Sequence, residues 1–430
     1  MRDDMHLESE EIEKVILVGV DIGEEDDFSR SMEELGSLAE ACMMQVAGVV
    51  VQKMESVNKA LYIGSGKVAE VREFAQTREA TLVICEDSLS PSQIRNLKDE
   101  LGIPVMDRTN LILDIFATRA QSREAKLQVE VARLKYLLPR LVGLHDALSR
   151  QGGASGSMSS KGAGEKKLEL DRRKIEHRIA ELSKELEEVS GERETQRKKR
   201  IRSGVPQVSL VGYTNAGKST IMNSMVDNYV KDEDKRVLEK DMLFATLETA
   251  VRRIDNGKRK PFYLADTVGF IHKLPHGLVK AFRSTLEEVK NADLLLHVID
   301  YADENYKKQI EVTEETLREL GAGEIPVIYI YNKADLCMDK LPEIRGNRIY
   351  MSAKKKDGLS ELVDMITQIL YASNKEVAFL IPYDKGQIVS RLCENAEVLV
   401  QNYIETGVYL VVNCQKEDRE RYKEYIVEKQ

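Results

Sequence analysis

Residues 208–220 read VSLVGYTNAGKST, and this stretch restricts the chain's fold more than any other. A short β-branched run leads directly into G-x-x-x-x-G-K-[ST], with Gly212, Gly217, Lys218 and Ser219 in register. The following IMNSMV has helical character, so the loop sits between a strand and a helix N-terminus. In that setting the backbone N–H groups of Gly212, Tyr213, Thr214, Asn215, Ala216, Gly217 and Thr220 can wrap phosphate oxygens. Lys218 reaches the terminal phosphates and the Ser219 hydroxyl suits Mg2+. A loop of this kind needs a parallel α/β sheet beneath it, with the ligand at the carboxyl ends of the strands.

Downstream runs support such a sheet. FYLAD (262–266), DLLLHVID (293–300), VIYIYN (327–332) and IYMSA (349–353) alternate with helix-like stretches, so 204–373 reads as one nucleotide-binding domain. Asp266 ends the first of these runs, and Gly269 follows three residues later in DTVG. NKAD (332–335) lies at another strand end. The Asp335 carboxylate can accept both the N1–H and N2–H2 donors of guanine, and Asn332 can bond the base or brace the phosphate loop. Lys333 completes the tetrapeptide. SAK (Ser352, Ala353, Lys354) can offer the Ala353 N–H to guanine O6. A site built on these bonds rejects adenine, which would leave Asp335 unpaired.

The rest of the chain divides around this domain. Residues 1–117 alternate strand runs, VILVGV (15–20), VAGVVV (46–51) and TLVIC (81–85), with helical segments, as in a largely parallel α/β domain. YIGSGKV (62–68) resembles a truncated phosphate loop, but Val68 stands where a hydroxyl is needed and a plain turn before a helix explains it better. It is the only support for an ATP-dependent RNA remodeller in this domain.

In 118–203, Leu127, Val131, Leu134 and Leu138 recur at helical spacing up to Pro139, which is expected to break or kink the helix. Ile175, Ile179, Leu182, Leu186 and Val189 form a second seam. Two seams and one Gly/Ser-rich linker at 150–165 predict an antiparallel helical hairpin with a flexible tip. Residues 374–430 predict a small C-terminal α/β domain: strand EVAFLIPY, a helix around 386–401, strand VYLVVNC and a charged terminal helix.

Bulk properties exclude other classes. No apolar run is long enough to span a membrane, and the acidic N-terminus lacks a signal-peptide pattern. Five scattered cysteines read as reduced residues of a cytoplasmic protein. The net charge of −9 argues against uniform coating of nucleic acid, yet 161–202 carries 14 Lys or Arg against 10 Asp or Glu. RETQRKKRIR (193–202) is the strongest basic run, a solvated helix face or a place for an RNA backbone.

The order of phosphate loop, DTVG, NKAD and SAK resembles the translation-factor-like GTPases. GYTNAGKST, FATLE (244–248), DTVGFI..LPH.LV.AF..TLEE, YIGSGK, RQGG, GAGE and LELDRR together resemble the HflX family of ribosome-associated GTPases. The resemblance covers nearly the whole chain. It implies a monomeric, cytoplasmic GTPase that hydrolyses GTP to GDP and phosphate, slowly alone and faster with a partner. That partner is the large ribosomal subunit or the whole ribosome, with rRNA met by the N-terminal domain and hairpin, and the output is splitting or rescue of stalled ribosomes under stress. The other reading is a nucleotide-gated ribosome- or RNA-binding module with negligible turnover.

The same resemblance makes Thr246 the switch threonine on Mg2+, has Asp266 hold Mg2+ through water, and has the Gly269 N–H bond the γ-phosphate. Asn215 is the residue type that holds K+ at the phosphates in potassium-stimulated GTPases. Phe270 stands where other GTPases carry a water-orienting glutamine. His272, where the family more often has arginine, is a polar candidate for that role, and His276 matches the family's LPH. The hairpin tip departs from the family at Ala163, Lys166 and SGSMSS, as in a divergent paralogue.

Overall fold

The computed structural model describes residues 12–23, 28–151, 158–230, 244, 249–255, 260–273, 288–372 and 374–428. By its contacts the chain forms two units. The first takes the described residues through Val189 together with His272 and Lys273; the second takes 190–271 and the described residues from 288 onward.

In the first unit, strands β1 (Lys14–Asp21), β2 (Gln45–Lys53), β3 (Leu82–Cys85) and β4 (Val105–Asp107) form a wholly parallel sheet in the order β2-β1-β3-β4. Helices α1 (Phe28–Ala41), α2 (Ser65–Thr77) and α3 (Pro91–Leu101) make the crossovers that parallel strands require. The α3 start is a capping box: Ser90 Oγ accepts from Gln93 N–H while Gln93 accepts from Ser90 N–H. YIGSGK leads into α2 through Gly64, which bonds Gln52 through its N–H. The core is aliphatic, with Ile16, Val18, Val71, Val83 and Leu97 at its centre.

Helix α4 (Arg108–Arg119) is followed by α5 (Arg123–Gln151) and α6 (Met158–Arg202). Leu127, Val131 and Leu182 are buried together, with Leu134, Leu186 and Val189 packed around them. The start of α5 thus meets the later part of α6, as an antiparallel hairpin requires, and Arg123 bonds Glu185 beside the seam.

Two expectations for this region change. Pro139 does not end the helix, because α5 runs through it to Gln151. Tyr136 and Arg140, on either side of the proline, both bond buried Asp107 (2.6 and 2.9 Å), and the Arg140 guanidinium stacks over the Tyr136 ring. These tertiary anchors hold the backbone across a residue that weakens an isolated helix. In the expected linker at 150–165, α6 is already helical from Met158. Glycines there cost only about 1 kcal/mol each in a helix otherwise rich in Lys, Arg and Glu. Residues 152–157 lie outside the described residues.

The second unit holds a seven-stranded sheet in the order β10-β11-β9-β8-β5-β7-β6. Its members are β5 (Gln207–Gly212), β6 (Ala250–Ile254), β7 (Phe262–Asp266), β8 (Leu294–Asp300), β9 (Val327–Asn332), β10 (Glu343–Arg345) and β11 (Arg348–Tyr350). β5, β7, β8, β9 and β11 are parallel, while the edge strands β6 and β10 run antiparallel to their neighbours. Helices α7 (Lys218–Tyr229), α8 (Tyr306–Glu319) and α9 (Leu359–Leu370) accompany it. Val208, Leu210, Leu294, Leu296, Ile328 and Ile330 are fully buried, the near-continuous apolar pattern of central parallel strands. His297 in β8 is buried among them; burial, and then the nearby Lys218 charge, push its imidazole down to about 3, so it is a neutral core residue.

The C-terminal part is a four-stranded sheet in the order β13-β14-β12-β15. It comprises β12 (Lys375–Ile381), β13 (Glu397–Ile404), β14 (Gly407–Cys414) and β15 (Ile426–Val427), antiparallel throughout, with α10 (Gly386–Asn395) packed on one face and the short α11 (Lys416–Arg421) after β14. The helix expected around 386–401 therefore stops at Asn395. Residues 397–404 form a hairpin with β14, since VLVQNYI pairs better in a sheet than it packs as a helix. Gly407 is needed at the turn: a Cβ there would meet the Ile381 carbonyl oxygen at 2.3 Å.

Candidate nucleotide-binding site

The site is built at the carboxyl ends of β5, β7, β8 and β9, where the central strands hand over to loops. Gly212 ends β5 with φ +140°, and a Cβ would strike the Val298 carbonyl at 2.2 Å. Gly217 has φ +97°, and a Cβ would strike Asn332 Nδ2 at 2.2 Å. Both glycines are therefore demanded by the backbone path as well as by the close approach of Val298 and Asn332. Asn215 takes the left-handed region (φ 60°) at the exposed crown of the loop. Lys218 opens α7 and is buried; its Nζ donates to the carbonyls of Gly212 (3.0 Å) and Tyr213 (2.7 Å). Burial pushes this ammonium down to about 8, against the pull of Asp266.

Ser219 Oγ donates to Asp266 Oδ2 at 2.8 Å, so the hydroxyl after the lysine and the carboxylate ending β7 converge. Among the described residues, Thr214 Oγ1 is buried without a hydrogen-bond partner. Gly269 passes so close that a Cβ would lie 2.8 Å from Thr214 Cα and 2.9 Å from Lys218 Nζ. Phe270 bridges to the phosphate loop: its N–H donates to Gly212 O (3.1 Å) and its carbonyl accepts from Thr214 N–H (2.8 Å). The Phe270 side chain is 2% exposed, so the ring packs in the interior.

Asn332 ties the loops together. Its Nδ2 donates to Ala216 O (2.9 Å) and its Oδ1 accepts from Ala353 N–H (3.0 Å). Lys333 (φ 59°) pairs with Asp300 at 2.7 Å, and Asp335 pairs with Lys355 at 3.1 Å. Burial raises the Asp335 carboxyl, but bonds from Ser352 and Lys355 outweigh it and hold it below its ordinary value. Ser352 bridges to Asp357, and Ser224 of α7 donates to Ala353 O, which seats the SAK loop. Lys354 is exposed.

The fold thus gathers 212–220, Asp266, Gly269, Asn332, Lys333, Asp335, Ser352 and Ala353 at one end of one sheet. His272 lies with the first unit instead, where its carbonyl accepts from Arg108. Thr246 and His276 lie outside the described residues. Asp300, Ser224 and Lys355 are contributors that motif reading passes over; only the position of Asp300 at the end of LLLHVID hints at its part.

A glycine-rich strand–loop–helix, an acid at the neighbouring strand end and an N-K-x-D loop two strands away define a P-loop GTPase. Family models agree in three successive pieces: "GTP-binding GTPase N-terminal" over 29–117, "GTP-binding GTPase Middle Region" over 119–200 and "50S ribosome-binding GTPase" over 207–333. The chain is 45% identical to GTPase HflX of Caldanaerobacter subterraneus subsp. tengcongensis, with 96% of this chain and 94% of that protein covered. It is 44% identical to GTPase HflX of Alkalihalophilus pseudofirmus (94% of each chain) and 40% identical to that of Escherichia coli K12 (88% of each). The chain belongs to the HflX family of GTPases, and it binds and hydrolyses GTP.

Proposed function

We propose that this GTPase is a nucleotide-gated, ribosome-associated switch. In this reading its GTP form engages the large subunit or the whole ribosome and acts in splitting or rescue of stalled ribosomes under stress. The bond network Asn332–Ala216–Ala353 carries the switch half of the reading, because it locks the guanine loops to the phosphate loop. Phosphates would draw Lys218 from the two carbonyls it now bonds, while backbone N–H groups of 215–220 bind the β-phosphate and the Thr214 N–H stays with the Phe270 carbonyl. Asp335 takes the guanine edge, and the Gly269 N–H takes the γ-phosphate. Ser219 Oγ and the Asp266 carboxylate are hard oxygen donors that fit Mg2+, which needs few protein ligands when phosphates and water complete the shell. Mg2+ there would neutralise phosphate charge, and Thr246 is the proposed further ligand.

The ribosome half is supported by the family's 50S ribosome-binding domain description and by the long α5–α6 hairpin with a basic stretch at the end of α6. Lys198 and Arg200 of that stretch are engaged with Glu194 and Glu288. The contact to rRNA phosphates falls then to Lys199, Arg202 and the first unit.

Phe270 is buried and cannot orient water, so turnover is slow alone and rises when a partner reorders the residues after Gly269. Co-sedimentation with ribosomes and with separated subunits under a GTP analogue or GDP tests the reading. Binding is expected with the analogue and not with GDP; nucleotide-independent binding overturns it. For K+ at Asn215, turnover is expected to be faster in K+ than in Na+, and equal rates exclude it.

A further inference from the structure

Between Gly212 and Gly217 the phosphate loop carries three polar side chains in different surroundings. Tyr213 is half-buried and Asn215 is exposed, whereas Thr214 is buried, at 7% exposure. Its Oγ1 has no hydrogen-bond partner among the described residues. The Thr214 main chain, by contrast, is fixed. Its N–H donates to the Phe270 carbonyl at 2.8 Å, and the Phe270 N–H returns to Gly212 O at 3.1 Å. Taking a hydroxyl out of water without a partner costs free energy, and such a group persists chiefly where a ligand or water completes its bonding.

A Cβ at Gly269 would lie 2.8 Å from Thr214 Cγ2 and 2.9 Å from Lys218 Nζ. The threonine side chain and the lysine ammonium therefore flank one point beside the Gly269 main chain. Lys218 Nζ also bonds the Tyr213 carbonyl at 2.7 Å, the other half of the peptide unit whose N–H belongs to Thr214. Lys218 and the Gly269 N–H are the groups proposed to take the γ-phosphate. The Phe270 ring brings no polar atom to this place, and the Ser219 hydroxyl is engaged with Asp266. Thr214 supplies the uncommitted hydroxyl.

We propose that Thr214 is a catalytic residue for GTP hydrolysis, its hydroxyl donating to an oxygen of the γ-phosphoryl group as that group transfers to water. In this step the water oxygen bonds to the γ-phosphorus. The bond from phosphorus to the β–γ bridging oxygen breaks, and its electron pair stays on GDP. One water proton passes to a γ-phosphoryl oxygen, so the products are GDP and dihydrogen phosphate. Thr214 gives up no proton. Its hydroxyl dipole meets the negative charge spread over the phosphoryl oxygens, at a buried position where such a bond is stronger than in water. GDP has no γ-phosphate, so the hydroxyl acts on turnover and leaves product affinity unaltered. This role rests on the proposed seat of the γ-phosphate at Lys218 and Gly269.

The test uses full-length protein with Mg2+ and measures multiple-turnover GTP hydrolysis, GDP titration and thermal unfolding of Thr214→Val, Thr214→Ser and Gly269→Ala. Valine keeps the shape and removes a hydroxyl that has no partner in the protein, so the nucleotide-free variant is expected to unfold at or above the parental temperature. Thr214→Val is expected to lower kcat about 10- to 100-fold, with GDP affinity within about 2-fold of the parent. Thr214→Ser restores the hydroxyl and is expected to recover most of kcat. A kcat within about 2-fold of the parent in Thr214→Val overturns the proposal. So do equal losses with valine and serine, or a loss of GDP affinity that parallels the loss of kcat. Gly269→Ala separates two sources of failure. If it slows hydrolysis while Thr214→Val does not, the role of the hydroxyl falls alone; if neither slows it, the seat of the γ-phosphate at Gly269 falls as well.

Discussion

Asn332 Nδ2 donates to the Ala216 carbonyl at 2.9 Å, across 116 residues of sequence. The same side chain accepts from Ala353 N–H, so one amide fixes the phosphate loop, the N-K-x-D loop and the SAK loop in mutual register. Ala216 and Ala353 are themselves buried, 0% and 1% exposed, so neither main-chain group can turn to water instead.

Asn332→Ala strands both main-chain groups. An unsatisfied buried polar group costs about 1–3 kcal/mol, so GDP affinity is expected to fall about 10- to 100-fold. Titration with a fluorescent GDP analogue reads this directly. Asn332→Asp should share the loss, since a carboxylate cannot donate to Ala216 O.

Asp335→Asn replaces an acceptor pair by a group that is half donor. The expected outcome is loss of GTP preference and gain of xanthosine triphosphate binding, measured by competition between the two. The parent protein's guanine preference should stay flat from pH 7 to about 5. A carboxyl held below its ordinary value remains ionised there, and its contribution is lost only as pH falls through that lowered value.

Gly269→Ala places a methyl 2.8 Å from Thr214 Cα and 2.9 Å from Lys218 Nζ. Hydrolysis is expected to drop at least about 10-fold as the strand is pushed from the loop, while GDP binding changes much less. Single-turnover phosphate release beside GDP titration separates the two effects.

Phe270→Gln would install the water-orienting residue that many GTPases carry, yet no gain in intrinsic rate is expected. The ring is interior, so the substitution removes apolar burial and buries an amide, at about 2–4 kcal/mol of stability. Thermal unfolding together with turnover checks this; a faster enzyme of parental stability would show that the side chain faces the reaction.

Much of the nucleotide site was readable from residue order. G-x-x-x-x-G-K-S, D-x-x-G and N-K-x-D are short because their chemistry is local: a turn that only glycine permits, a charge beside it and a helix start. The parallel α/β layout followed from apolar runs broken by helical segments, and the hairpin from two seams of like spacing. Local pattern failed at 397–404, where a sheet partner decided between helix and strand, and at Pro139, where Asp107 holds the helix across the break.

By itself the sequence determined the class of site, the N-K-x-D carboxylate proposed to read guanine, and the family. Only the tertiary structure decided that Phe270 is a packing residue, that Asn332 braces three loops, and that Lys273 is received by Glu86 from 187 residues away. The physical reason is range. Backbone conformation and loop chemistry are set within a few residues, whereas burial and ion pairing depend on which distant segments the folded core brings together.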